Sequence, residues 1–132
     1  MLVTTNQYPD VIFPDDVATM FANFILEHNV RLKVFLFIVE QTQKHQATTI
    51  PDIIENVVIS HRRKKKTKGK NTFFEKVEDN IDRKLAEKII DQLYCMSLIY
   101  YEQLNPYKRI FLTIRGIQVV SKLQEINEKM RK

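Results

Sequence analysis

The chain has 132 residues, 44% of them apolar, with two glycines and four prolines; this suits one helix-rich domain with its own core and excludes collagen-like, low-complexity and turn-dense all-β classes. Cys95 is the only cysteine, which excludes an intrachain disulfide and any cysteine-based zinc site within one chain. The formal charge is +5, yet seven of the 21 Lys and Arg residues crowd between Arg62 and Lys70, and outside that run acidic residues outnumber basic ones.

Residues 1–14 carry Pro9 and Pro14 without a sustained period and read as an extended arm. They lack the basic stretch and apolar block of a secretory signal, and the longest apolar run, Val34 to Val39, is too short to span a bilayer. The expectation is a cytoplasmic protein with no membrane partner. Asp15 and Asp16 suit a helix N-terminus, and Val17, Met20, Phe21, Phe24 and Ile25 continue at helical spacing, predicting a helix over 15–28. From Arg31 to Lys44 apolar residues cover almost the whole circumference, which predicts a central helix, with a buried strand as the rival reading. Ala47-Thr48-Thr49 suits a short β-bridge, and Pro51 suits the first turn of a helix through Val58 that runs into the basic run.

Beyond that run, Phe73, Phe74, Val77 and Ile81 keep helical spacing, and Leu85, Ala86, Ile89, Ile90 and Leu93 extend it. One long helix and two helices broken at Asp79 or Asn80 both fit 73–96, with the capping preference of those residues favouring a break. Leu98 to Leu104 and Arg109 to Thr113, flanking Asn105-Pro106, predict a hairpin. A last helix over about 114–131 carries Val119, Leu123, Ile126 and Met130 as a narrow seam like that of a short coiled coil.

The segment Asp82 to Tyr101, with its spacing of Leu93 to Leu98-Ile99, resembles the recognition helix and first wing strand of MarR-like and PadR-like bacterial regulators. Phe111-Leu112-Thr113-Ile114-Arg115-Gly116 is similar to their Leu-Thr-x-x-Gly, where the second wing strand meets a dimerisation helix. The resemblance covers about residues 30–130. It implies a mainly α domain with a small β-hairpin: a winged helix-turn-helix over 15–132 with extra N- and C-terminal helices and a basic insertion at 61–72. This chain departs from the pattern in placing about twenty residues between the second helix and the recognition helix, so that some or all of Phe73 to Asp79 can belong to the latter.

The function implied is sequence-specific binding of double-stranded DNA by a homodimer, as in transcription regulation. Arg83 and Lys84, then Lys88, would face the major groove beside Glu87 and Asp91. Lys108 and Arg109 would form a wing tip, and Val119, Leu123, Ile126 and Met130 the dimer interface. Arg62, Arg63, Lys64, Lys65, Lys66, Lys68 and Lys70 would neutralise phosphates, with Asn71 and Thr72 as neutral contacts. A solvated loop and a nuclear localisation signal are the bland readings of that run. A plasmid or viral DNA-maintenance role on the same fold, a protein-interaction module, and a single-strand or RNA binder using Tyr100, Tyr101 and Phe111 are the alternatives. His28, His45 and His61 lack metal-ligand spacing and read as surface or capping residues, and Cys95 reads as a small apolar filler near a buried helix end. With two glycines and no phosphate loop, the expectation is a non-enzyme without metal or cofactor, and no pattern points to a small-molecule effector.

Overall fold

Asp15 and Asp16 stand in the first turn of helix α1, Asp15–Leu26, where the helix dipole favours negative charge. The computed structural model describes residues 11–66, 72–104 and 107–130. After α1 come α2 (Asn29–Gln43), α3 (Ile50–Asn56), β1 (Val58–Lys66), β2 (Thr72–Asn80), α4 (Arg83–Cys95), β3 (Ile99–Leu104), β4 (Tyr107–Leu112) and α5 (Ile114–Met130). The described chain is mainly helical, with two antiparallel hairpins, β1–β2 and β3–β4.

Caps explain the helix ends. The His28 imidazole accepts from the Arg31 N–H at the start of α2, 3.3 Å away. Thr49 and Asp52 form a reciprocal capping box at α3, with Pro51 in the first turn. α2 ends with His45 at φ 60° and α4 with Ser97 at φ 63°. In both, the next two N–H groups turn back to helix carbonyls: His45 to Thr42 and Gln46 to Gln41, Ser97 to Tyr94 and Leu98 to Leu93. This is the Schellman closure, in which an apolar contact joins the two ends of the longer hydrogen bond. Leu93 and Leu98, both fully buried, are that pair, which accounts for their spacing.

One core unites Ala22 and Ile25 of α1, Phe35 and Ile38 of α2, Ile53 of α3, Ile89 and Leu93 of α4, Ile110 and Leu112 of β4, and Val119 and Leu123 of α5. The expected bridge forms between Thr48 and Ile110, by N–H to O bonds of 3.1 and 2.7 Å, and ties the α2–α3 connection to the β3–β4 hairpin. At the end of β4 the Thr113 N–H donates to the Leu98 carbonyl (3.0 Å), while its hydroxyl donates to the Ser97 carbonyl (2.7 Å) and accepts from the Gly116 N–H (3.0 Å). Thr113 thus caps α5 and fastens it to the end of α4. A Cβ at Gly116 would collide with the Leu98 carbonyl oxygen and the Leu112 side chain, so the helix approaches this closely because residue 116 is glycine.

Four expectations are corrected here. Residues 72–80 form strand β2, not helix, and α3 ends at Asn56 so that β1 carries Arg62 to Lys66, the described part of the basic run. A helix through that run would stack like charges three and four residues apart, whereas an extended chain spaces them at about 3.3 Å per residue on alternating faces. The α5 seam is not a free surface: Val119 and Leu123 are buried within the single chain, where α5 packs on α1. Ile126 lies half-buried against the same core, and Met130 is 80% exposed. Cys95 is exposed rather than an apolar filler, because it follows the buried stripe of α4 by two residues.

Residues 1–10 of the arm lie outside the described residues. Residues 11–14 are strapped to α5: Phe13 and Gln118 exchange two hydrogen bonds of 2.8 Å, and Arg115 Nε donates to the Val11 carbonyl at 3.0 Å. Lys122 of α5 pairs with Asp15 and with Glu125, and these hydrogen bonds raise its amine above the ordinary lysine value. Arg31 joins three helices, donating to the Phe24 carbonyl at 2.6 Å and to Gln92 Oε1 at 3.2 Å.

Gly116→Ala should destabilise the domain by about 1–3 kcal/mol through overpacking against a backbone oxygen, read as a lower urea midpoint at unchanged slope. Ser97→Gly should raise stability by roughly 0.5–1 kcal/mol, since glycine adopts the left-handed conformation without a Cβ penalty; a lower midpoint would contradict this account of the α4 end.

Candidate nucleic-acid interface

The β1–β2 hairpin leaves the fold between α3 and α4, and buried residues hold its base. Val57 and Ile81 are 4% and 1% exposed, and the Ile81 N–H donates to the Val57 carbonyl at 3.0 Å. The Asn80 amide donates to the Ile54 and Glu55 carbonyls, at 2.6 and 3.1 Å, satisfying carbonyls left open at the end of α3. Lys33 of α2 reaches the Val58 carbonyl at 3.0 Å. From this base nine residues of β1 pair with nine of β2, from Val58 opposite Asn80 to Lys66 opposite Thr72. At about 3.3 Å per residue such a ribbon extends roughly 30 Å.

Arg62, Arg63, Lys64, Lys65 and Lys66 are consecutive in β1, and Thr72 opens β2. Lys68, Lys70 and Asn71 lie outside the described residues. The expected loop is thus, over its described part, paired strand.

Directly after the ribbon, Asp82 caps α4 by accepting from the Leu85 N–H at 2.7 Å, which puts Arg83 and Lys84 in the first turn beside the ribbon base. The inward face is as expected: Ala86, Ile89, Ile90 and Leu93 are buried and Leu85 half-buried, while Arg83, Lys84, Glu87, Lys88 and Asp91 are exposed. Arg83 Nε pairs with Glu87 at 2.9 Å, both side chains more than half exposed, a pair worth little in water. Lys84, Lys88, Asp91, Gln92 and Cys95 line a shallow groove along the same side. The mixed signs give α4 a weakly cationic face that suits selective contact better than strong attraction.

Lys108 and Arg109 are exposed on β4. The Lys108 ammonium lies 4.6 Å from the Tyr101 ring centre, and Tyr101 packs on Tyr94 of α4 at 4.8 Å, so this chain of contacts connects the hairpin to α4. The rings considered for single-strand stacking are engaged: Phe111 is buried, and Tyr100 stacks on it at 5.1 Å. The residues missed in the sequence are those of the ribbon base, Lys33, Val57, Asn80 and Ile81. Val57-Val58-Ile59 and Thr72-Phe73-Phe74, β-prone stretches flanking the charges, were the available signal.

Among the described residues no group of three or more His, Cys, Asp or Glu is placed to hold a metal ion, and no helix is long and apolar enough to cross a membrane. No family model, curated protein or solved structure matches this chain.

Asn80→Ala should lower stability by about 1 kcal/mol as two carbonyls lose their donor and should speed amide exchange of Ile81. Unchanged exchange at Ile81 would mean that Asn80 does not hold the ribbon base.

Proposed function

We propose that this chain binds double-stranded DNA in the manner of a winged helix-turn-helix protein and acts in transcription regulation. The observation that carries this reading is the placement of the chain's only concentration of positive charge on a β-ribbon that emerges at the N-terminus of α4. The order α2, Thr48 bridge, α3, α4, β3–β4 hairpin supports it, with α4 as the helix facing the groove and Lys108 and Arg109 on the wing. In this reading the ribbon supplies phosphate contacts and long-range attraction, while Arg83, Lys84 and Lys88 make contacts to base edges. A homodimer belongs to the proposal, because two α4 helices about one turn of DNA apart would match a two-fold site. Its contact has to use exposed α5 residues such as Ile117 and Met130, since Val119 and Leu123 are occupied within one chain.

Fluorescence anisotropy of a labelled duplex, titrated at several salt concentrations, tests the reading, with sedimentation giving stoichiometry. The seven cations set an upper bound of about −6 on the slope of log affinity against log salt. Replacing Arg62 to Lys66 by Gln should flatten that slope by up to about 4.5 and weaken binding severalfold or more. Unchanged affinity and slope would instead indicate an interaction module. Binding with no preference for any sequence over bulk DNA would remove the regulatory role.

A further inference from the structure

The register of the ribbon sorts its charges by face. In an antiparallel pair, directly opposed positions share a face and successive positions alternate. Positions 58, 60, 62, 64 and 66 therefore share one face with 80, 78, 76, 74 and 72, and positions 59, 61, 63 and 65 share the other with 79, 77, 75 and 73. The first face holds Arg62, Lys64, Lys66 and Lys76 against one carboxylate, Glu78. The second holds Arg63 and Lys65 against Glu75 and Asp79, with Ile59, Phe73 and Val77 among them. One face is strongly cationic; the other is formally neutral.

The pairing sharpens the contrast. Arg63 stands directly opposite Glu75, whereas Arg62 stands opposite Lys76. Opposed like charges destabilise a hairpin, so the first face gains from an external polyanion in a way that the second does not. At the base, Ile59 is half-buried against the core while Val58 and Ser60 are exposed. The neutral face is thus continuous with the body of the domain there, and the cationic face starts from the solvent side.

We infer that the face defined by positions 62, 64, 66 and 76 is the one that follows the phosphate backbone of duplex DNA, and that Lys76, on the return strand and outside the cationic run, is one of its contacts. This rests on the DNA-binding reading and adds an orientation to it. Same-face positions on a strand are about 6.6 Å apart, and each strand of a duplex carries one phosphate per about 3.4 Å of helix axis, so successive cations on this face each have a phosphate within reach. The opposite face, neutralised by its own carboxylates, turns away from the DNA.

Two double variants remove equal charge from opposite faces: Lys64→Gln with Lys76→Gln, and Arg63→Gln with Lys65→Gln. Anisotropy on a duplex longer than the ribbon, over a salt series, should show the first flattening the slope by about 1.8 and weakening affinity roughly tenfold or more, and the second changing the slope by less than about 0.5. Lys76→Arg should keep the wild-type slope, and Lys76→Gln alone should leave the thermal midpoint unchanged or raised, because it removes an opposed like charge. Equal losses in both doubles, with wild-type binding intact, would overturn the facing of the ribbon and leave DNA binding standing. A wild-type chain that binds no duplex at any salt, or that prefers an RNA duplex to DNA, would overturn both.

Discussion

The backbone hydrogen bond from Ile81 to Val57, buried among apolar side chains, is the constraint on which the arrangement depends. It closes a long excursion between α3 and α4, so these helices pack on each other as though joined by a short turn. The Asn80 amide and the Lys33 ammonium add contacts to backbone carbonyls around it. The closure cost rises only slowly with the length of the excursion, so a long charged segment is tolerated once its ends are clasped. The core is thereby insulated from a concentration of charge it could not bury.

A second junction performs the corresponding task on the other side of α4. Ser97 turns the chain in a left-handed conformation, Leu98 returns to Leu93, and Thr113 and Gly116 lock the start of α5 against the same carbonyl-rich corner. Both ends of α4 are therefore fixed by main-chain contacts, while its outer face stays exposed and nearly balanced in charge. Strong attraction and fine discrimination are separated in space in the proposed reading. In that reading the ribbon holds the cations that draw in a polyanion, and α4 presents Arg83, Lys84 and Lys88.

The boundaries of α1, α2 and α5 and the β3–β4 hairpin were legible, because apolar spacing, acidic residues at the start of α1 and the turn-prone pair Asn105-Pro106 in the sequence pointed the same way. The segment from Phe73 to Ile81 was not, since Phe73, Phe74, Val77 and Ile81 suit a helical stripe as well as a strand. Its partner strand lies across the basic run, and a pairing of that kind leaves no mark within either segment alone. The α5 stripe was read as apolar, but its Val119 and Leu123 were assigned to a partner chain. Periodicity shows that a face is covered, and only the path of α1 shows that Val119 and Leu123 are covered from within.

By itself the sequence determined the helical class, the concentration of charge between Arg62 and Lys70 and the inward face of α4, because these follow from local spacing and residue chemistry. The tertiary structure alone decided that Arg62 to Lys66 lie in a paired strand, that position 76 shares a face with positions 62 and 64, and that Val119 and Leu123 are covered within one chain. These depend on which distant segments meet, and the free energy of such meetings comes from burial and pairing across the fold rather than from the preferences of any one stretch.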